Sequence, residues 1–239
     1  MSSIQGVRYI GEQKDLFKTG RADAKLSLAE LADLHDLYAL GPVAGLDGEI
    51  TVLDSQPHVS QVRGGANEYV IDRTFNHGAI FLVWAQVREW DDLHIADSVS
   101  SYQELESVVH ESARQQGIDT DQPFPFLMAG TPGELVWHIN VDRTGGQPIT
   151  PDLFRKSKQQ HILRDRPVEI FGVHSRSHGG VFMSEGLKIH IHFVSRDGAA
   201  SGHIDAIVPG ALTLRLPRGG SGWSARYHSA ATCSGHDEC

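Results

Sequence analysis

The order of the predicted elements indicates an α+β fold, with the longer helices in the first half of the chain and short strands through the second. One capping box, formed by Ser27 and Glu30, predicts a helix over residues 27–40, and a second, formed by Ser101 and Glu104, predicts another. Alternating or continuous apolar residues predict strands at 50–53, 79–87, 135–141, 168–173, 187–194, 202–208 and 211–216.

The length and composition are those of a globular protein. The chain has 239 residues, of which 40% are hydrophobic, enough for a sizeable core. The stretch DTDQPFPF at 119–126 is rich in proline and polar residues and marks the best boundary. We therefore expect an N-terminal half at 1–120, a β-rich half at 121–217 and a Gly/Ser-rich tail at 218–239.

Charge and cysteine content exclude several classes of function. The formal net charge of -9 argues against a nucleic-acid surface and offers anionic membranes no basic patch. The opening residues lack the apolar core of a signal peptide, and Cys233 and Cys239 are too few and too late for a disulfide framework. We expect a cytoplasmic protein that takes a small-molecule substrate, and a homodimer is compatible with the sequence. The two cysteines are expected to be free thiols, with mutual pairing or metal binding as alternatives.

Three histidines fall in one predicted hairpin, LKIHIHFVSRDGAASGHIDAIV. In a strand His190 and His192 point to the same face, about 6–7 Å apart. Asp197-Gly198 is a pair favoured in two-residue hairpin turns. With the turn there, His203 lies directly opposite His192, so the three imidazoles share one face.

Three neutral nitrogen ligands on a rigid hairpin, with a fourth position open, are typical of a catalytic zinc site. The same register places Asp205 opposite His190, where the carboxylate can fix the tautomer of the ring. A strand with one solvated polar face explains His-x-His without a metal. The opposed third histidine favours the metal.

Two segments together resemble a known family. GPVAGLDGEITVLD at 41–54 and KIHIHFVSRDGAASGHIDAI at 188–207 resemble the α-acetolactate decarboxylases, which have a G-x-x-x-x-LDGE-[ILM]-x-x-LD segment and an H-[ILF]-H-F…GGH-[VI]-x-D segment in that order. The similarity covers most of residues 8–217. As a diverged member, the chain would have an α+β fold, with a mixed β-sheet and two helices in the N-terminal half and a barrel-like β-sheet carrying the metal in the C-terminal half.

The resemblance also implies roles for particular residues. It assigns Zn²⁺ binding to His190, His192 and His203, and active-site roles to Glu49 and Arg143, with Arg155 as the alternative arginine.

The implied reaction converts acetolactate, a 2-hydroxy-3-oxo acid, into acetoin. The adjacent hydroxyl and ketone oxygens of this substrate can chelate a metal with three protein ligands, and a Lewis acid stabilises the enediolate left by loss of CO₂. Arg143 would hold the carboxylate, and Glu49 would move or orient the proton that reaches carbon.

Two positions depart from the family. Pro42 stands where the family usually has a threonine that helps line the site, and proline lacks both the hydroxyl and the amide hydrogen. The family closes its site with a tail glutamate, and here the only glutamate after Glu185 is Glu238, which is either that group or a frayed terminal charge. A loop from His174 to His178 is a further candidate for the pocket wall.

Three hypotheses therefore stand. The first is a zinc-dependent decarboxylase of a 2-hydroxy-3-oxo acid such as acetolactate, active in acetoin biosynthesis. The second is a diverged zinc-dependent isomerase or dehydratase of a larger, specialised metabolite, favoured by Pro42 and the short tail. The third is a non-catalytic metal- or ligand-binding protein on the same scaffold.

Overall fold

The computed structural model of the protein describes residues 6–65, 68–94, 99, 101–219 and 225–228, and two large β-sheets dominate it. The strands of the described residues are, in chain order, β1 (Val7–Ile10), β2 (Leu26–Ser27), β3 (Leu37–Pro42), β4 (Glu49–Leu53), β5 (Gln56–Val62), β6 (Tyr69–Asp72), β7 (Gly78–Ala79), β8 (Leu82–Gln86), β9 (Trp90–His94), β10 (Phe124–Thr131), β11 (Glu134–Asn140), β12 (Lys158–Arg164), β13 (Val168–His174), β14 (Ile189–Ser195), β15 (Ser201–Val208), β16 (Ala211–Pro217) and β17 (Ala225–Tyr227). The α-helices of these residues are α1 (Gln13–Thr19), α2 (Tyr102–Gln115) and α3 (Pro151–Lys156).

The strands form two main layers. The first sheet has the order β17-β1-β8-β3-β4-β5-β6, and the second has the order β12-β11-β15-β14-β13-β10-β16-β9. All neighbours in both sheets are antiparallel except β1 and β17, which are parallel. Strands β3, β4 and β5 pack against β11, β13, β14 and β15, so the two sheets face each other across part of the core.

Strand alternation on β14 decides where the polar site lies. Ile189, Ile191 and Phe193 point to one face, where they pack in a core with apolar residues of α2. His190 and His192 point to the other face, toward the first sheet. Helix α2 thus covers the apolar face of the second sheet, and the histidines are enclosed between the two sheets.

The expected α+β fold with a barrel-like second half is wrong, because the structure is mostly β and contains no closed barrel in its described part. The edge strands of the second sheet, β12 and β9, do not pair with each other. The twisted sheet instead remains open and buries its faces against α2 and the first sheet.

The first predicted helix is also wrong beyond its first turn. The capping box between Ser27 and Glu30 does form, but it begins only a 3₁₀ turn over Leu28–Leu31. Asp36 then adopts a φ of 56°, which a helix cannot continue through. Leu37–Pro42 becomes the interior strand β3, in which every residue is buried, so non-local pairing outweighs the local helical period.

Several other predictions are confirmed. Ser101 accepts a hydrogen bond from the Glu104 amide and begins α2, and the strands predicted at 135–141, 168–173 and 202–208 all form. Within the described ranges, none of the helices has the length and apolar character needed to span a bilayer. The division of the chain at residue 120 stays a prediction.

His174 is a buried polar residue at the end of β13. Its ring stacks on Phe124 with the centroids 4.7 Å apart, and neither ring nitrogen has a hydrogen-bond partner in the described part of the chain. Burial, with a further contribution from the positive charges around it, lowers the pKa of His174 to about 3. The folded protein therefore keeps this ring neutral in mild acid.

We predict that His174 makes the fold sensitive to acid. As the pH falls below about 6.5, the unfolded chain gains a proton at this position that the folded chain refuses, so the free energy of unfolding decreases. Between pH 8 and pH 5, the free energy of unfolding should decrease in both the wild type and His174→Phe. The decrease should be about 2 kcal/mol smaller in His174→Phe, which has no group to protonate at this position. Urea denaturation at both values measures this difference, with pH 8 as the control. Equal losses in the two proteins would contradict the prediction.

Candidate metal centre

The hairpin of β14 and β15 has the register predicted from the sequence. His192 pairs directly with His203. The turn differs from the two-residue prediction: Ser195 and Ala200 close a four-residue loop, and only Gly198 of the Asp197-Gly198 pair has a positive φ. The longer loop is centred on the same pair, so the facing residues are unchanged.

The three hairpin histidines converge at their ring nitrogens. Nε2 of His190 lies 3.2 Å from Nε2 of His192 and 3.0 Å from Nδ1 of His203. Two nitrogens bound to one tetrahedral zinc ion are about 3.3–3.4 Å apart, because each lies about 2.0–2.1 Å from the metal. The spacing of the nitrogens is therefore close to that of a metal-binding set.

The hydrogen bonds behind two of the rings orient them toward each other. Nδ1 of His190 contacts the carbonyl of Phe182, which can only accept, so its Nε2 presents a lone pair. The ring of His192 is hydrogen-bonded to the Ile50 backbone, and its Nδ1 lies 3.2 Å from Thr51 Oγ1. With hydrogen assigned to Nδ1 in both rings, two lone pairs face each other, an arrangement that a cation between them stabilises.

Burial also keeps these rings neutral, as metal ligands must be. Desolvation lowers the pKa of His190 to about 4 and the pKa values of His192 and His203 well below the usual value. Neighbouring histidines add a smaller lowering effect on all three residues, and Lys158 adds one on His190 and His203. The three residues can therefore offer lone pairs throughout the neutral range.

Glu49 lies beside the histidines at the start of β4. Its carboxylate is buried, with Oε2 3.6 Å from Nε2 of His192 and Oε1 3.6 Å from Nε2 of His138. Asn140 donates a hydrogen bond to Oε1. Burial raises the pKa of Glu49 well above its usual value, and the nearby charge of Lys158 opposes this effect.

Sequence reasoning did not identify His138, which lies on β11 directly opposite His203. Its Nδ1 lies 2.9 Å from Oδ2 of Asp205, and burial lowers the pKa of the ring. Burial alone would raise the pKa of Asp205, but the His138 hydrogen bond and the Lys158 charge lower it to about 2. Asp205 thus orients His138 and not His190. His138, His203 and Asp205 form a second group whose geometry can hold a cation.

A small pocket opens onto these residues and contains about 360 Å³ of empty space, including its mouth. Its polar wall includes Glu49, His138, His190 and His203, with Lys158 at one side. Its apolar wall is formed by four residues from separate parts of the chain: Pro42, Phe81, Phe154 and Met183.

The remaining predicted site residues lie elsewhere. Arg143 is exposed, donates to the carbonyl of Lys156 and lines a neighbouring surface pocket together with Arg155. His174 is in the core and does not line the pocket at the histidines. Glu238 lies outside the described residues.

Solved structures share this fold. An α-acetolactate decarboxylase of Bacillus subtilis strain 168 matches with a TM-score of 0.71 and 12% identity, over 95% of this chain and 90% of that one. Acetolactate decarboxylase of Bacillus subtilis subspecies spizizenii matches with 0.70 and 14%, over 95% and 91%. A Staphylococcus aureus protein of unknown function, described as similar to α-acetolactate decarboxylase, matches with 0.70 and 12%, over 92% and 88%.

No protein-family model matches the sequence, and no curated protein matches it either. At 12–14% identity, the likeness to the solved structures establishes the fold alone. The chain therefore has the fold of the acetolactate decarboxylases and, within it, a converging set of histidines beside a buried carboxylate.

Proposed function

We propose that this protein is a zinc-dependent decarboxylase of a small 2-hydroxy-3-oxo acid, such as acetolactate, and that it releases acetoin. The observation that supports this most strongly is the convergence of His190, His192 and His203 beside Glu49. Glu49, His190 and His203 line a small pocket, and His192 is buried behind them. The fold shared with acetolactate decarboxylases supports the same class of reaction by analogy.

The residues present fit a metal ion. His190, His192 and His203 would hold it, since their nitrogens converge, their rings are neutral and two of them are fixed from behind. A bound divalent ion supplies Lewis-acid stabilisation of negative charge that develops on a substrate oxygen.

Glu49 would act as the general acid that protonates the product carbon. Loss of CO₂ from a 2-hydroxy-3-oxo acid leaves an electron pair shared between carbon and oxygen, and acetoin forms only when carbon gains a proton. The carboxyl group of Glu49 lines the pocket and is oriented by Asn140, so it can deliver that proton without help from bulk water. The reaction consumes a proton in each turnover, because the carboxylate leaves as neutral CO₂, so Glu49 would regain its proton from solvent through the open pocket that it lines.

The size of the pocket favours a small substrate. The empty space of about 360 Å³ includes the mouth and open solvent, so the enclosed part of the pocket is smaller than a site for a drug-sized ligand. Phe81, Phe154 and Met183 form an apolar wall of the pocket, which suits short alkyl groups such as the methyls of acetolactate.

A second candidate is an isomerase or dehydratase that uses the same metal and carboxylate for enolisation. Pro42 favours it, because this residue lines the pocket where the family usually carries a threonine, and no hydroxyl is offered there. The small pocket argues against a large metabolite for either reaction. If no keto acid reacts, the third hypothesis is favoured, in which the protein binds the metal and a ligand without catalysis.

We predict that the purified protein binds about one zinc ion per chain and that His192→Ala abolishes this binding. The substitution removes one of three ligands, and the protein cannot replace it from the same strand face. Elemental analysis after dialysis against zinc measures the ratio. His35→Ala, at an exposed position, is the matched control and should keep its metal. Equal zinc in both variants would disprove the assignment.

We predict that Glu49→Gln lowers the rate of acetoin formation from racemic acetolactate by about 10²–10⁴-fold, the usual contribution of a positioned acid or base. The amide keeps the size of the side chain but cannot cycle a proton. Acetoin is measured colorimetrically on protein loaded with zinc, and the metal content of each sample is determined in parallel. A variant with full metal and the wild-type rate would exclude Glu49 from proton transfer.

A further inference from the structure

Lys158 is the only lysine or arginine among the described residues that line the pocket at the histidines. It is the first residue of β12 and pairs with Asn140 of β11. Directly opposed residues in a sheet point to the same face, and Asn140 and His138 both point into the pocket. The backbone register therefore aims the ammonium group of Lys158 at the same space.

A network of polar groups holds this ammonium in place. Nζ of Lys158 lies 3.3 Å from Oδ1 of Asp205, while the other oxygen of Asp205 accepts from His138 and Gln160. The side chains of Lys158 and Asp205 are 23% and 21% exposed, and Lys158 lines the pocket, so its ammonium can be reached from there. An ammonium has three donors, and the contact to Asp205 uses one of them.

Lys158 also lies where two pockets meet. The neighbouring surface pocket is lined by Arg143, Arg155, Lys156 and Lys158 with two glutamines, and no acidic residue is among its described lining. The chain as a whole carries a formal charge of -9, which repels anions. Two of these four cations are paired with carboxylates, Arg155 with Asp152 and Lys158 with Asp205. Arg143 and Lys156 contribute the remaining positive charge beside Lys158, which offsets part of the repulsion that a small anion meets there.

We propose that Lys158 binds the carboxylate of the substrate, and that Asp205 positions its ammonium group for this contact. The inference rests on the proposed function for the identity of the substrate, but only on the pocket itself for its chemical class, a small monocarboxylate. Lys158 thereby takes the part that the sequence suggested for Arg143, whose guanidinium donates to a backbone carbonyl in the adjoining pocket.

The test compares Lys158→Met with Lys25→Met in the full-length, zinc-loaded protein. Both variants lose one positive charge, and Lys25 is exposed and lines neither of the two pockets. The probes are 2-hydroxyisobutyrate and its neutral amide, 2-hydroxyisobutyramide, which differ only in the carboxylate. Isothermal titration calorimetry measures both affinities, and elemental analysis confirms the zinc content.

The wild type and Lys25→Met should prefer the acid over the amide by at least about tenfold, the lower range for a hydrogen bond to a charged group. Lys158→Met should lose this preference while it keeps its zinc, and Lys158→Arg should restore part of it. An unchanged preference in Lys158→Met would overturn the proposal. Because the probes do not react, this result is independent of acetoin formation: a wild type that makes no acetoin but discriminates through Lys158 would refute the decarboxylase and leave the carboxylate site standing.

Discussion

The imidazole groups of β14 and β15 are locked into an arrangement that neutral rings alone do not favour. The strand register places His192 opposite His203, and the alternation of β14 brings His190 to the same face. Hydrogen bonds behind the rings turn the Nε2 atoms of His190 and His192 toward each other at 3.2 Å, and Nδ1 of His203 lies 3.0 Å from Nε2 of His190. Burial keeps His190 neutral in this space. The rest of the site is arranged around this electron-rich centre.

Two layers of structure maintain the arrangement. On one side, Ile189, Ile191 and Phe193 anchor β14 in the core beneath α2, so the strand cannot rotate. On the other side, Oγ1 of Thr51 on β4 accepts a hydrogen bond from the hydroxyl of Ser201 and contacts Nδ1 of His192. These buried hydroxyl groups connect the first sheet to the candidate ligands. The site therefore requires both sheets, although all three candidate ligands belong to one hairpin.

The sequence predicted what short-range geometry determines. The hairpin register followed from the ten residues between His192 and His203, which are centred on Asp197-Gly198. It was correct even though the turn is longer than expected. His138 and Lys158 escaped prediction because they reach the pocket on β11, which pairs with β15, and on β12, which pairs with β11. Neither pairing is encoded in a local motif. Arg143 was predicted to be the active-site arginine because it follows a strand. The chain has left the sheet at this residue, and the side chain lines the neighbouring surface pocket.

The helix expected over residues 27–40 failed for a related reason. The spacing of its apolar residues is compatible with a helix. In the structure, residues 37–42 instead form β3, which pairs with β4 on one side and β8 on the other and is buried along its whole length. A single sequence carries no direct record of such long-range pairing, so the two-sheet architecture had to come from the structure.

Whether three imidazole nitrogens bind one divalent ion can be measured by X-ray diffraction from crystals of the zinc-loaded protein, at wavelengths above and below the zinc absorption edge. We expect one anomalous peak per chain that lies about 2.0–2.1 Å from Nε2 of His190, Nε2 of His192 and Nδ1 of His203. A peak at the other cation group, on His138 and Asp205, or no peak in zinc-saturated crystals, would contradict it.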